Sequence, residues 1–453
     1  MGTLRNGTLA IALTLGSITF LQAQENKTLT LGETIELGLE NSKQLKVALS
    51  KSKEAGYATR EMKENFIPDV DLSGQYMRIN EPTIKIGSAL SGGSSSEEES
   101  GGMSATPSYV MFGTATASMP LFSGFKIRNG IRSAQYLEKA ALLDVEAQRS
   151  EVVLNLVNAY VNLYKAQEAV KLVEENLEQS KQRVKDFTNM EKNGILALND
   201  LLKAQLQESN TSLALLDAQN NQRVANFNMN LLLGLDESTQ LLLDSINIDQ
   251  LPEMLTVGDL REKAITERED LQAVEEREKA SETAVKMAKG DYWPSIGLSG
   301  GYIAADIDQV MTITNAWNIG VGVSFNLAQL YKNGANVHQA KEQYMQTQLM
   351  HEQLTDQVKS EVFQSFSDYL ESLQRMEVYA KAEQQAKENY RITKNKHDNS
   401  LATTTDLLDA DVDQFQAELN LRFSKVDALL AYCRLLEVSG QLEATSVQSF
   451  TAQ

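Results

Sequence analysis

The side chains that could do chemistry in this chain are few and widely separated. Its one cysteine, Cys433, excludes an intramolecular disulfide and a cysteine-based metal cluster. The three histidines, His338, His351 and His397, lack the close spacing of metal ligands. No serine, cysteine or histidine arrangement resembles a catalytic unit, and glutamates are too numerous for any pair to stand out. The sequence therefore predicts that the protein is not an enzyme and binds no metal or cofactor.

One group of carboxylates does have a regular spacing. Asp406, Asp409 and Asp413 follow one another at steps of three and four residues, so they share one face of a helix. This face lies roughly 120° from a predicted apolar seam on the same helix, formed by Leu408, Val412, Phe415 and Leu419. Two interpretations are open: a solvated acidic surface in an acidic protein, or a surface that attracts cations and repels anions.

The composition favours long helices over several compact cores. The chain has 453 residues, 6 prolines, 26 glycines and 6% aromatic residues, and helix-forming residues dominate most of it. Its formal net charge of -19 leaves no basic face for a phosphate backbone, so we expect no nucleic-acid partner.

The first residues have the layout of a secretory signal peptide. A basic residue, Arg5, precedes an apolar run from Leu9 to Leu21, and polar sequence begins after Ala23. The run is too short to span a bilayer as a mature helix, and no cysteine near Ala23 could carry a lipid anchor. We expect a signal peptide at 1–23 and export of the remainder.

The rest of the chain is a tandem duplication. A constant offset aligns Pro68 with Pro294 and the string Leu-Ser-Gly at 72–74 with the same string at 298–300. We expect a first repeat at 24–234, a linker at 235–256, a second repeat at 257–440 and a C-terminal tail at 441–453. Each repeat has a β-hairpin, at about 69–122 and 295–327, and then a long helical hairpin, at about 127–234 and 332–440.

Each repeat begins with helices and turns to strands at a proline. Capping-box patterns at Thr30 and Thr256 start the first helices, and Pro68 and Pro294 end the helices that follow. The strands after these prolines alternate apolar with small polar residues, which indicates a sheet with one apolar and one polar face. The second strand of the first repeat shows this alternation more faintly, and we expect it to end at Pro120.

The longest helical pattern follows each pair of strands. From Val152 to Phe187 apolar and small residues recur at steps of four and three, which is typical of a coiled-coil seam. A helix over 127–190 would be roughly 95 Å long at about 1.5 Å per residue. We expect it to turn at Asn193 and Gly194.

The four strands have a length that suits a membrane. Each is about ten residues long, as a tilted strand needs to be to cross a bilayer. Only closed barrels can place strands in lipid, and bacterial barrels have at least about eight strands. If the strands lie in a membrane, several copies of the chain must therefore associate. The alternative is a pair of soluble hairpins on a helical body, as in an exported coiled-coil adaptor or scaffold protein without a channel.

The order of these elements resembles the TolC family of outer-membrane efflux proteins. The resemblance covers nearly the whole mature chain: the signal peptide, the duplication, the two strand pairs after helix–proline junctions, and the tips "NGILALNDLLKA" and "NSLATTTDLLDA" of the two helical hairpins. It implies a mainly α protein whose helical hairpins form an α-barrel, with four strands per protomer in a shared 12-stranded β-barrel of a homotrimer.

The resemblance also implies a function and partners. Such a protein would be the exit duct of a tripartite efflux pump or a type I secretion system in a Gram-negative bacterium, a passive conduit from periplasm to exterior. It would lie in outer-membrane lipid with a large periplasmic part, and would work with a periplasmic adaptor (membrane fusion) protein and an inner-membrane transporter.

The resemblance finally implies roles for individual residues. A family motif, D-x-x-D, matches Asp406 and Asp409, and implies that the acidic face rings the periplasmic entrance, with Asp200 as the first-repeat equivalent of Asp406. Residues 401–405 contain no basic residue, so the resemblance does not extend to a basic gate residue there. The expected adaptor contacts at the tips are Gly194, Ile195, Leu196, Ala197, Leu401 and Ala402, and the expected lipid-facing strand residues are Trp317, Ile319, Val321, Val323, Phe325 and Tyr302.

Overall fold

A computed structural model describes residues 26–80, 84–85, 104–244 and 256–442 of the chain. The predicted signal peptide and parts of the predicted linker and tail lie outside the described residues. The α-helices are α1 (Leu31–Asn41), α2 (Lys43–Glu64), α3 (Lys126–Lys192), α4 (Leu198–Leu233), α5 (Val257–Glu267), α6 (Glu269–Ala288), α7 (Gln329–Asp398) and α8 (Thr404–Val438). The strands are β1 (Asn26–Leu29), β2 (Asp69–Arg78), β3 (Ile84–Lys85), β4 (Ser104–Ala105), β5 (Tyr109–Ser123), β6 (Gln240–Leu243), β7 (Ser295–Ile307) and β8 (Met311–Ser324).

Two long helical hairpins dominate the fold, which confirms the predicted mainly α class. Helices α3 and α7 contain 67 and 70 residues, so each is about 100 Å long. The chain turns back as α4 and α8, which run alongside them. The return helices are followed by Gly234 and Gly440, whose positive φ angles of 67° and 72° suit glycine at a helix C-terminus.

The main hydrophobic core lies midway along the hairpins. Here the first part of the predicted seam of α3 is buried in a core to which α1, α5, α7 and α8 also contribute, and its members include Leu156, Val358 and Leu429. The seam explains this core because residues at steps of four and three share one face of α3. An unpredicted parallel pair, β1 with β6, covers the core, and the buried Tyr160 hydroxyl donates to the carbonyl of Leu29 at 3.3 Å.

The four long strands form one antiparallel sheet in the order β2-β5-β7-β8. Among the described residues, β2 and β8 each pair on one side only, so the sheet has two open edges. Both helical segments end before the predicted prolines rather than at them. Helix α2 ends at Glu64, four residues before Pro68, and a 3-10 turn after α6 ends at Tyr292, two residues before Pro294. Neither helix continues through its proline, which has no N–H to donate.

Two expectations about element detail were wrong. Strand β5 does not end at Pro120 but continues to Ser123, because the pairing register shifts between Pro120 and Phe122 and this β-bulge accommodates the proline. In α8, Val412 is 44% exposed and does not belong to a buried seam within the chain. The buried side of the first turns of α8 is formed by Leu407, Leu408, Ala410 and Asp411.

No helix among the described residues is long and apolar enough to cross a membrane.

Candidate functional site at the hairpin tips and the sheet

The turns at the two tips have the same backbone conformation. Gly194 has a φ of 71°, and the Ile195 N–H donates to the carbonyl of Met190 at 2.9 Å. At the second tip Ser400 has a φ of 60°, and the Leu401 N–H donates to the carbonyl of Lys396 at 2.7 Å. A residue in the left-handed region lets the chain reverse while the last helix carbonyls stay hydrogen-bonded.

The two tips lie side by side. A small apolar cluster joins α3, α4 and α8 there, and its buried members are Phe187, Leu201, Ala204 and Leu407. The Lys203 ammonium of α4 donates to the Thr405 hydroxyl of α8 at 3.0 Å. The second tip thus receives a basic neighbour from the first repeat, although its own residues 401–405 include no basic residue.

The six predicted contact residues at the tips do not all face outward. Ile195 and Leu401 are 73% and 77% exposed, which is unusual for large apolar side chains. Gly194 and Ala197 are also exposed, and Ala402 is half-buried. Leu196 packs against the apolar cluster of the tips, so its side chain belongs to the structure of the turn.

Asp406 has a structural role in addition to its charge. Its carboxylate accepts hydrogen bonds from the Thr403 N–H at 2.9 Å and the Thr403 hydroxyl at 2.7 Å, while its own N–H donates to that hydroxyl. This is a capping box at the start of α8. The hydrogen bonds from the Thr403 side chain and backbone lower the pKa of Asp406, so the carboxylate stays charged.

The other predicted entrance carboxylates differ in their surroundings. Asp409 and Asp413 are exposed, and no described residue forms a hydrogen bond or ion pair with them. Asp200 is half-buried and lies 3.5 Å from the Lys203 ammonium one turn along α4. Of the three predicted entrance carboxylates of α8, Asp409 and Asp413 are therefore the two without a partner among the described residues.

The sequence did not predict the most buried ion pair that the structure describes near the tips. The Arg183 guanidinium of α3 donates two hydrogen bonds to the Asp411 carboxylate of α8, at 2.8 and 2.7 Å, and a longer one to the Tyr390 hydroxyl of α7. The two charged side chains are only 9% and 6% exposed. Burial opposes the charge of Arg183, but the hydrogen bonds and charge of Asp411 outweigh it and raise its pKa.

A signal for this ion pair was present in the sequence. Asp411 lies three residues after Leu408 and four after Leu407, so it shares their buried helix face. A carboxylate on such a face needs a charged partner.

The register of the sheet places most of the large apolar strand residues on one face. Cross-strand partners in an antiparallel sheet lie on the same face, and Trp317 pairs with Tyr302, and Val321 with Leu298. On the opposite face, hydroxyl groups of neighbouring strands are hydrogen-bonded, as in Ser73 with Thr114 at 2.7 Å. The apolar face comprises Val70, Leu72, Tyr76, Met111, Met119, Phe122, Ile296, Leu298, Tyr302, Trp317, Ile319, Val321 and Val323, and Phe325 continues its alternation beyond β8.

The groups that could support catalysis are separate. Cys433 is buried, and desolvation raises the pKa of its thiol to about 12. His351 bonds to Glu278 at 2.9 Å, whereas the His397 ring stacks on Phe187 at the tips. The described part of the chain contains no group of three or more His, Cys, Asp or Glu placed to hold a metal ion.

Comparison with known proteins identifies the family. A family model for outer membrane efflux proteins matches residues 34–235 and 260–441. The outer membrane efflux protein BepC of Brucella suis is 23% identical over 340 residues, covering 74% of this chain and 73% of BepC.

Solved structures share the fold at lower identity. The Campylobacter jejuni CmeC outer membrane channel has a TM-score of 0.75 at 19% identity, with 98% of this chain and 96% of CmeC covered. CusC, whose structures describe transmembrane channel formation, has a TM-score of 0.78 at 18% identity, with coverages of 90% and 92%. With the family model spanning both repeats, the chain belongs to the outer membrane efflux protein family, and it is an outer-membrane efflux channel rather than an enzyme.

Proposed function

We propose that three copies of this chain form one passive exit duct of a tripartite efflux system, leading from the periplasm to the exterior. The observation that carries the proposal is the four-stranded sheet with two open edges and one apolar face. An open edge in lipid leaves unpaired N–H and C=O groups that cost several kcal/mol each. Joining β8 of one protomer to β2 of the next removes every edge and gives a twelve-stranded barrel.

In this barrel the apolar face meets lipid and the polar face lines a wet lumen. Trp317, Ile319, Val321 and Val323 are between 64% and 73% exposed in the single chain, and they would be buried in the hydrocarbon of the outer membrane. The seryl, asparaginyl and glycyl positions of the opposite face can then hold water inside the duct.

The helical part supports lateral association as well. Helix α4 carries a second apolar stripe that faces away from α3, with side chains between 40% and 63% exposed. Their spacing follows the steps of a coiled-coil seam, so the stripe suits a neighbouring helix of another protomer. The stripe consists of Leu202, Leu206, Leu213, Leu216, Val224, Phe227 and Leu231.

The partners follow from the position of the two ends. The hairpin tips would lie in the periplasm, where the exposed Ile195 and Leu401 would meet a periplasmic adaptor. The adaptor would connect the duct to an inner-membrane transporter, which supplies the energy and the choice of substrate.

The oligomeric state tests the proposed function directly. We expect the mature protein to require detergent for extraction and to have three times the mass of one chain in light scattering. After reconstitution in a planar bilayer it should conduct ions. A stable monomer in plain buffer that does not enter bilayers would contradict the proposal. It would show that the apolar face and the open strand edges are stable in contact with water.

The acidic entrance gives a second prediction. Replacing Asp409 and Asp413 by asparagine removes six charges from a trimer, while Asp406 is left in place to cap α8. We expect the preference for K⁺ over Cl⁻ in a planar bilayer to fall by roughly threefold, because charges at a constriction set the local ion concentration. Unchanged selectivity would show that this surface does not line the pathway.

A matched control distinguishes the entrance from the total charge. Asp217→Asn with Glu377→Gln removes the same charge from exposed positions, one midway along α4 and one about two-thirds of the way along α7. This control should leave the ion selectivity as it is in the wild type.

A further inference from the structure

A recess with four cationic side chains lies where the sheet meets the helices. It has a volume of about 410 Å³ and lies between the start of α3 and the end of α6. We call it the basic recess and define it by Arg128, Arg132, Lys286, Lys289, Phe125 and Trp293.

The positive charge of the recess is largely uncompensated within the protein. Lys286 forms an ion pair with Glu282 at 2.7 Å. Arg128, Arg132 and Lys289 are exposed and have no ion pair with any residue in the described part of the chain. In a chain with a formal charge of -19, three free cations around one recess select an anionic ligand.

Two segments of the backbone lie very close together at the recess, one at Gly124 and the other at Gly290. Gly124 has a φ of 63°, and a Cβ there would lie 2.1 Å from the carbonyl oxygen of Gly290. A Cβ on Gly290 would in turn lie 2.4 Å from the Lys126 side chain, which forms an ion pair with Asp291. This ion pair engages the Asp291 carboxylate, which forms no ion pair with Arg128, Arg132 or Lys289.

Aromatic contacts place the recess on the apolar side of the sheet. Phe122, a member of the apolar face, meets Phe125 edge to face at 5.1 Å between ring centroids, and Phe125 meets Trp293 at 6.4 Å. Both Phe125 and Trp293 are at least 50% exposed. Arg128 and Arg132 follow about 5 and 10 Å further along α3. A headgroup layer is roughly 5–7 Å thick on each side of a bilayer, so Arg128 would lie within this layer and Arg132 at its outer limit.

We propose that the basic recess binds the phosphate of an anionic phospholipid in the periplasmic leaflet of the outer membrane. The proposal rests on the proposed placement of the apolar face in lipid. Phe125 and Trp293 lie at the level where aromatic side chains meet the membrane interface, and Arg128 with Arg132 offers guanidinium groups to phosphate oxygens. Basic pockets at the membrane surface are suited to such headgroups.

Native mass spectrometry of the detergent-solubilised trimer tests the site. With phosphatidylglycerol added, the wild type should retain bound lipid that phosphatidylethanolamine at equal concentration does not replace. In the variant Arg128→Gln, Arg132→Gln, Lys289→Gln, phosphatidylglycerol should bind at least tenfold more weakly, since each cation near an anionic surface contributes about fivefold. The charge-matched control Lys171→Gln, Lys185→Gln, Lys381→Gln changes exposed lysines of α3 and α7 far from the recess.

Other results would overturn the inference. If the variant binds phosphatidylglycerol as well as the control does, the recess is not the lipid site. If inorganic phosphate or a soluble peptidoglycan fragment at equal concentration displaces phosphatidylglycerol, the recess does not select a phospholipid. In both cases the trimer and its conductance persist, so the proposed function stands. A wild type that forms no trimer and enters no bilayer overturns that function and this inference with it.

Discussion

Replacing Arg183 by methionine is expected to destabilise the tip end of the hairpins by about 3–5 kcal/mol, because it leaves the buried Asp411 carboxylate without its partner. Methionine keeps much of the side-chain volume, so the loss reports on charge and hydrogen bonds more than on packing. The measurement is the free energy of unfolding of this region, followed by hydrogen exchange of the amides in α3 and α8.

The ion pair connects the two repeats, so its loss should also change the duct. Arg183 lies in α3 and Asp411 in α8, two residues after the entrance residue Asp409. Without the pair, the start of α8 can move relative to α3, and we expect a higher resting conductance of the reconstituted channel.

Two comparisons separate this effect from a general loss of charge. Arg391→Met breaks an exposed pair with Glu388, whose side chains are 62% and 54% exposed, and should have little effect because water replaces the lost partner. The double variant Arg183→Met, Asp411→Leu removes both buried charges and should recover part of the lost stability. Equal losses in the single and double variants would show that Asp411 is not left buried and unpaired.

Much of the fold could be predicted from the sequence because its elements are long and regular. The steps of four and three from Val152 to Phe187 specify one buried face of α3, and the alternation around Trp317 specifies one apolar face of β8. The strand alternation occurs in both repeats, so the prediction for one copy can be checked against the other.

The site was harder to predict because periodicity does not say which distant residues meet. Arg183 and Asp411 are separated by 228 positions, and neither segment has a sequence pattern that predicts its contact with the other. Thr403 and Asp406 have the spacing of a capping box. From the sequence, Asp406 was assigned to the acidic entrance alone, and its role in capping α8 was not predicted. Val412 belongs to the predicted seam of α8, but in the described part of one chain its side chain is 44% exposed.

Replacing both Ile195 and Leu401 by glutamate is expected to abolish efflux while the channel itself remains intact. Burying two such side chains against a partner contributes at least about 3 kcal/mol, so adaptor binding should weaken by roughly a hundredfold. The fold should tolerate the change, because these side chains are 73% and 77% exposed and lie outside the apolar cluster of the tips. The measurements are site-specific crosslinking to the adaptor, efflux by whole cells and conductance of the purified trimer.

Control variants identify which property of the tips matters. Ile195→Val with Leu401→Met keeps the surface apolar and should preserve crosslinking, whereas Asn199→Glu adds a charge at an exposed position of the same tip without removing apolar area. If apolar contact holds the adaptor, Asn199→Glu should retain efflux and the glutamate pair should not. Intact crosslinking and efflux in the glutamate pair would instead place the docking surface on the sides of the hairpins, away from Ile195 and Leu401.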